Sequence, residues 1–305
     1  MDAIKEKFIE IWLGTASGTA KFTLPQPCSI DKTNLQVLRH HSYLVCEKND
    51  GVRHCVFFTR TQQTQEPVVY LVNRHLQFNP ISHNPLTTNP NLFAGTIIDC
   101  ELVQNASLVA FDCVAITGTR VAHQSLNKRV QHCKTIALIA KLQDFKIQTK
   151  QFVQAKYLRN LMKVTDSTKN DGFVFTPINQ PVLTGTVLNC FKWKPSEKQT
   201  VDLVIKNTVE EGKYTLHASK DETVNTIKLQ KGILLLSLQN TMGRHHNLIV
   251  ECNFDQTRGW TPIFQAGLVI TRTDKPNANS LYVVTRTLQA ILDNIQPHDI
   301  EQVCM

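Results

Sequence analysis

The chain has 305 residues, 42% of them hydrophobic and 19% charged; no apolar run approaches a membrane span, and the charge-interrupted N-terminus is no signal peptide. A formal net charge of +8 and a pI of about 9.0 favour a polyanionic partner, a nucleotide or nucleic acid, over a membrane. Nine cysteines without a Cys-x-x-Cys pair argue against a disulfide scaffold and read as reduced thiols packed inside an intracellular protein.

In chain order, Ile4, Phe8, Ile11 and Trp12 fall at helical spacing and predict a core-packing helix over 1–13, ended by Gly14. Strands follow at 43–47 and 52–58, either side of Lys48-Asn49-Asp50-Gly51. Asp-Gly is a strong hairpin signal, so a hairpin is expected there. The same stretch puts Lys48 and Arg53 at strand ends, which leaves open that Lys48 is a nucleophile.

Further strands are expected at 67–72, 95–103 and 108–116, with a Pro- and Asn-rich loop at 79–91. Helices are expected at 122–142 and 151–164, then strands at 172–176 and 186–194. Pro195 marks a domain boundary. Beyond it, strands at 201–206, 232–238, 247–254, 266–272 and 281–286 suffice for a small β-barrel. After Thr287, the spacing of Leu288, Ile291, Leu292 and Ile295 predicts an amphipathic helix. The expected division is 1–194, 195–286, and a terminal helical stretch 287–305 that packs back on the first domain.

Several strands carry charge where a core strand should not. Period-two alternation puts Asp99 and Glu101 on one strand face, where they meet cations, a ligand or plain solvent. Lys192 and Lys194 share another face, suited to phosphate oxygens or to guarding a sheet edge. Asp112 interrupts an apolar run and needs partners, with a structural hydrogen bond the simplest. Asp171 begins a strand just before Gly172, either a metal position or an ordinary turn. Arg272, Asp274 and Lys275 precede a Pro-Asn turn and read alone as a charged loop.

Together these segments resemble the covalent nucleotidyltransferase superfamily, which holds the mRNA capping guanylyltransferases and the ATP-dependent DNA and RNA ligases. Lys48 to Arg53 resembles the motif in which a lysine takes the nucleotide. "GTIIDCEL", "LVAFDCVAI", "DGFVFTP", "FKWKP" and "RTDKPN" resemble the later motifs, in family order, over residues 48–277. The closer likeness is to capping enzymes, through "VYLVNRHLQF" ending near Arg74, through "FTP" and through "RTDK" before Pro-Asn. Asn73 stands where an acidic residue is usual. Ile270 stands where the last motif usually has an arginine, and Trp260 is the one candidate for its displaced tryptophan.

The resemblance implies an α+β fold: an antiparallel-sheet nucleotidyltransferase domain followed by an OB-fold barrel. It implies transfer of GMP from GTP through a covalent lysine–GMP to the 5′-diphosphate end of RNA. A polynucleotide ligase using lysine–AMP, or a catalytically dead RNA-binding protein, are the alternatives. Lys48 is then the nucleophile, with Arg53, Lys192 and Lys194 at the transferring phosphate. Asp50, Gly51, Arg74, Glu101, Lys150, Arg272, Asp274 and Lys275 are placed with the nucleotide, and Asp202 supports the OB domain. Asp171, and less directly Asp99, would hold Mg²⁺ or Mn²⁺. RNA triphosphatase and cap methyltransferase activities are expected on other chains or domains. The expected location is the nucleus for a cellular protein and a cytoplasmic replication site for a viral one.

Overall fold

The structure is a computed structural model that describes residues 2–15, 22–104, 106–166, 170–210, 212–229 and 248–305. The strand expected at 232–238 lies outside the described residues. The chain divides into two compact units, residues 1–193 with 297–305 and residues 194–296.

The first unit is built on two sheets. One has the order Gln26–Ser29, Thr186–Trp193, Asn170–Pro177, Tyr43–Asn49 and Val153–Gln154. The other runs Phe78–Ile81, Pro67–Asn73, Val52–Arg60, Thr96–Val103, Ser107–Ile116 and Thr119–Arg120, with Lys146–Thr149 added beside Ser107–Ile116. All these pairings are antiparallel except that of Gln26–Ser29 with Thr186–Trp193 and that of Lys146–Thr149 with Ser107–Ile116, which are parallel.

The second sheet is buried on both faces, which explains the unbroken apolar run Cys55–Phe58. Val56, Phe58, Ile98 and Cys100 face Cys133 and Ile136 of the helix Leu126–Ile139. Cys55, Phe57 and Ile97 face Ile4, Phe8 and Trp12 of the helix Asp2–Leu13. That helix ends as the sequence predicts: Gly14 has φ +75° and donates its N–H to Glu10 O.

The hairpin expected around Asp50-Gly51 is not one. Tyr43–Asn49 and Val52–Arg60 belong to different sheets, so the chain crosses between sheets at this turn. Gly51 is there for space rather than for a left-handed φ. A Cβ on it would lie 2.6 Å from Leu102 O, 2.8 Å from Glu101 Cγ and 2.9 Å from Val103 Cγ1.

Two helix predictions shorten. The first keeps only Leu126–Ile139, between Ser125 and Ala140. Of 151–164, only Leu158–Val164 is α-helical, because Val153 and Gln154 pair with Val45 and Leu44 at a sheet edge.

In the second unit, strands Thr223–Lys228, Lys213–His217, Val201–Asn207, Leu248–Asp255 and Gly259–Pro262 pair in that order. The sheet curls until Asn225 of the first donates its side-chain amide to Arg258 O and Trp260 O beside the last. The result is a nearly closed barrel of the OB type. Trp260 is a core residue of it, its ring 5.4 Å from that of Phe254.

The strand expected at 281–286 is instead the start of a helix, Leu281–Asp293. Ser280 accepts from Val283 N–H and caps it, while Val284, Leu288 and Ile291 recur at helical spacing and pack on the barrel core. That burial outweighs the β-branched look of Leu-Tyr-Val-Val. The helix expected to continue to the end breaks at Asn294, which has left-handed φ, and restarts at Pro297–Cys304. This last helix belongs to the first unit, where Glu301 accepts from the backbone N–H and guanidinium of Arg159.

Candidate active site

A cavity of about 420 Å³ lies between the two sheets of the first unit, a volume within the usual range for small-ligand sites. One sheet contributes Cys46, Lys48, Val174, Thr176 and Lys192 to its wall. The other contributes Arg53, Arg74, Asp99, Glu101, Phe111 and Asp112. The crossing at Gly51 is what lets neighbouring residues reach the cavity from opposite walls.

Lys48 Nζ donates to Asp171 Oδ2 at 2.6 Å, with both side chains partly exposed. Asp171 reaches it because Asn170 pairs with Asn49 and Phe173 with Glu47, so two residues oppose the single Lys48 in a bulge. Gly172 takes φ +130° there, a conformation that favours glycine.

Across the cavity Arg53, Cys55 and Phe57 pair with Glu101, Asp99 and Ile97, so these six share a face that turns from charged to apolar along its length. Arg53 grips Asp99 with a fork: Nε donates to Oδ1 at 2.9 Å and a terminal nitrogen donates to Oδ2. Its other terminal nitrogen donates to Pro25 O. Burial opposes the charge on Arg53, but Asp99 more than offsets it and holds the guanidinium above its ordinary range. Burial lifts the Asp99 carboxyl above its usual value, with Arg53 pulling against it. Both oxygens of Asp99 are committed to Arg53, so the expectation of Asp99 as a metal ligand gives way to a role as the arginine's anchor.

Glu101 is less enclosed. Burial raises its carboxyl above the usual range, and Lys150 and Lys48 pull the other way. Lys150 is buried, donates to Glu47 O at 3.0 Å and sits 5.0 Å from the centre of the Phe111 ring. Arg53 lies 5.5 Å from the same ring. Both cations lie over the Phe111 ring, and a flat heterocycle that shares this ring with them meets an aromatic surface and positive charge together.

Phe111 reaches the cavity through a second bulge. Asp99 pairs with Asp112 and Cys100 with Ala110, leaving Phe111 as the extra residue. Asp112, expected to find a structural partner, has one: the fully buried Arg129 donates Nε to Oδ1 at 2.6 Å and a terminal nitrogen to Oδ2 at 3.2 Å. Two carboxylates of the wall therefore cancel two arginines. The wall's other charges are Lys48, Arg74, Lys150 and Lys192 against Glu101, a surplus that suits a phosphorylated ligand.

The wall also has two thiols. Burial pushes Cys46 up to about 11 and Cys190 up to about 12, so neither is a thiolate at neutral pH. The wall's amines are Lys48, Lys150 and Lys192, of which Lys150 is held on Glu47 O and Lys48 on Asp171.

The predicted residues do not all converge. Asp50 and Gly51, expected at the nucleotide, stand outside the cavity wall, Asp50 exposed on the turn and Gly51 packed on Leu102 O. Lys194, Arg272, Asp274 and Lys275 lie in the second unit. There Arg272 is itself clamped, with Nε and a terminal nitrogen each 2.9 Å from an Asp274 oxygen and the other 2.9 Å from Asp202 Oδ1. Asn73, in place of an acidic residue, accepts from the backbone N–H of His75 and Gln77 and shapes the turn that presents Arg74.

Phe111, Arg129, Phe152 and Gln180 are cavity residues that the sequence reading did not single out. The charged strand around Asp112 was the available signal for Phe111. Nothing in the helix pattern marks Arg129.

Among the described residues no cluster of three or more His, Cys, Asp or Glu side chains could cage a metal. The donor set fits the looser mode of Mg²⁺, held by one carboxylate, water and substrate phosphates, with Asp171 as that carboxylate. The orphaned, buried Oδ1 of Asn49, also at this wall, is a second oxygen donor without a partner.

Residues 4–196 match the family model described as mRNA capping enzyme, catalytic domain, and residues 184–300 match mRNA capping enzyme, C-terminal domain. The mRNA-capping enzyme subunit alpha of Schizosaccharomyces pombe is 26% identical over 93% of this chain and 80% of its own length. That of Kluyveromyces lactis is 25% identical over 95% of this chain and 79% of its own. Among solved structures, a mycobacterial DNA ligase D complexed with ATP and MES aligns with TM-score 0.44 at 11% identity, over 82% of this chain and 98% of that one.

Proposed function

This chain belongs to the mRNA capping enzyme family, and from that premise we propose that it is an RNA guanylyltransferase acting through a lysine–GMP intermediate on Lys48. The observation that carries the residue assignment is the cavity between the sheets. It sets Lys48 on one wall against Phe111, Lys150 and Glu101 on the other, with cations in surplus.

In the first step the Lys48 Nζ lone pair attacks the α-phosphorus of GTP. A P–N bond forms, the bond from the α-phosphorus to the oxygen bridging to the β-phosphate breaks, pyrophosphate leaves with that oxygen, and the nitrogen gives up a proton to solvent. In the second step a terminal β-phosphate oxygen of 5′-diphosphate RNA attacks the same phosphorus. The P–N bond breaks, the leaving nitrogen takes a proton from solvent, which restores the lysine, and a 5′–5′ triphosphate bridge remains.

The guanine stacks against Phe111, and Lys150, whose ammonium donates to one carbonyl, has N–H groups left for the O6 and N7 acceptors of its edge. Glu101 accepts from ribose hydroxyls. Lys192 and Arg74 neutralise phosphate charge as it shifts in the transition state. Arg53 acts mainly by fixing Asp99 and the Phe111 platform. Attack also requires Lys48 to leave Asp171. Mg²⁺ or Mn²⁺ at Asp171 would supply positive charge beside the phosphates and free the lysine from its carboxylate. Lys194 serves the transferring phosphate with Lys192, and Arg272, Asp274 and Lys275 serve the β- and γ-phosphates. The preceding triphosphatase and following methyltransferase steps fall to other chains or domains, in the nucleus or at a viral replication site.

The test is incubation with α-labelled GTP or ATP and a divalent metal, followed by a denaturing gel. Label from GTP that disappears in Lys48→Ala, with the variant still folded, supports the reading. Label from ATP alone makes the protein a ligase, and label persisting in Lys48→Ala overturns the assignment of the nucleophile.

A further inference from the structure

A second cavity, of about 440 Å³, opens in the first unit at the other end of the strand that carries Lys48. Its wall includes Arg39, His40, His41, Tyr43, Gln154 and Lys156; the one carboxylate in it is the main-chain terminus of Met305, and no Asp or Glu side chain lines it. Arg39, His40, His41 and Lys156 are exposed and make no ion pair among the described residues. Lys156 lies over the Tyr157 ring, 5.2 Å from its centre, but none of the four has a carboxylate partner among the described residues, so a neutral ligand leaves the cluster's charge unmet. An anion with several acceptor oxygens meets it.

The two cavities are connected by the chain. Lys150 and Phe152 line the first, and Gln154 and Lys156 line the second. Between them Val153–Gln154 forms the edge strand of the sheet. Strand alternation places Tyr43 on the face opposite Cys46 and Lys48, so a ligand joining the cavities passes over that edge. Lys48 lies five positions beyond Tyr43, about 17 Å of strand at about 3.3 Å per residue, the least a path over the edge can span. A stacked nucleic-acid strand covers that in about five nucleotides at about 3.4 Å each.

We propose that this second cavity holds a backbone phosphate of the substrate RNA, at least about five nucleotides from the 5′ end that reacts at Lys48. The inference rests on the guanylyltransferase reading above. It makes the enzyme sensitive to RNA length: a substrate too short to reach Arg39 and Lys156 forgoes their contacts and binds more weakly.

The experiment compares wild type with Arg39→Ala/Lys156→Ala on two substrates, a 5′-diphosphate dinucleotide and a 5′-diphosphate ten-mer. Formation of labelled lysine–GMP from GTP alone stays at the wild-type rate, which also reports that the variant is folded. KM for the ten-mer rises roughly tenfold. The slope of log KM against log salt for that substrate falls by about 0.7, one neutralised phosphate on a single strand. KM for the dinucleotide does not move. An unchanged ten-mer KM overturns the inference, as does an equal rise for both substrates. A cavity that takes up inorganic phosphate or a phosphorylated peptide while ten-mer KM stays unchanged overturns it as well. Loss of the wild-type GTP label, by contrast, is a failure of the guanylyltransferase reading itself.

Discussion

Asp99 and Asp112 stand directly opposite each other on neighbouring strands, and each is held by an arginine of its own, Arg53 and Arg129. Two facing carboxylates in one wall repel unless both are neutralised. The four residues therefore form one electrostatic unit behind the cavity. Arg129 ties it to the rest of the fold through Gln124 O and Gln180 O.

Removing one member should cost more than removing a pair. Arg129→Met leaves Asp112 beside Asp99 without its cation, and breaking a buried pair in this way costs about 3–5 kcal/mol. Asp112→Leu added to Arg129→Met removes the stranded charge and should recover part of the loss. The carbonyls of Gln124 and Gln180 remain without a donor and account for the rest. Urea unfolding of both variants checks this. A double variant less stable than the single one contradicts the account.

Phe111 should act through binding more than through chemistry. A base stacked on an aromatic ring gains about 1–3 kcal/mol, so Phe111→Ala should raise KM for GTP between about 5- and 150-fold. The stacking is present before and during attack, so the maximal labelling rate should change far less than KM. Phe111→Trp keeps a ring face and should stay near wild type. Single-turnover labelling against GTP concentration separates the two constants. A fall in maximal rate at constant KM would place Phe111 with the reacting atoms instead.

Much of this site was legible in the sequence, and its gaps have physical causes. Charge at strand ends pointed to Lys48, Glu101, Asp171 and Lys192 because a core strand tolerates charge only where something meets it. The same pattern could not say which strands pair. Asp-Gly reports that the chain turns, and both a hairpin and a crossing between sheets satisfy it. Phe111 faces the cavity only because of a bulge opposite Asp99 and Cys100, a register event with no local signature. Arg129 sits in a helix whose pattern does not mark it as buried. Leu281 to Val284 looked like a strand, and only the barrel surface beneath Val284 and Leu288 makes it a helix.

The carboxylates around Arg272 should titrate in opposite directions. Hydrogen bonds from Arg272 hold the Asp274 carboxyl at about 2, below its usual range. A depressed carboxylate stabilises the fold fully above its ordinary value of about 3.9, and that contribution is lost as pH falls toward 2. Asp274 is largely exposed, so it amounts to less than about 1 kcal/mol. For Asp202, burial lifts the carboxyl despite Arg272, so its ionisation weighs against the fold and stability is gained as pH falls through its raised value. Carboxyl NMR titration should find Asp274 below and Asp202 above the ordinary range. In Arg272→Ala, Asp274 should move up toward about 3.9 and Asp202 should rise further. Two coincident titrations in the wild type would contradict the clamp.

Gly51 tests whether the crossing between sheets matters for catalysis. Its φ is not left-handed, so alanine is allowed by the backbone, and any effect of Gly51→Ala reads space alone. The added methyl meets Leu102 O, a backbone atom that cannot swing away, and Glu101 Cγ, on a side chain that lines the cavity. Overpacking of this kind costs about 1–3 kcal/mol. The chain can relieve it only by lifting the turn off the strand Thr96–Val103, which shifts Lys48 relative to Glu101 and Phe111. A displacement near 1 Å between reacting groups can cost about 10² in rate. Gly51→Ala should therefore lower lysine–GMP formation at least tenfold while the protein stays folded at 25 °C. Thermal unfolding and labelling measured on one preparation decide it. Wild-type labelling in a destabilised variant would mean that the cavity is set by the sheets themselves and not by the turn that joins them.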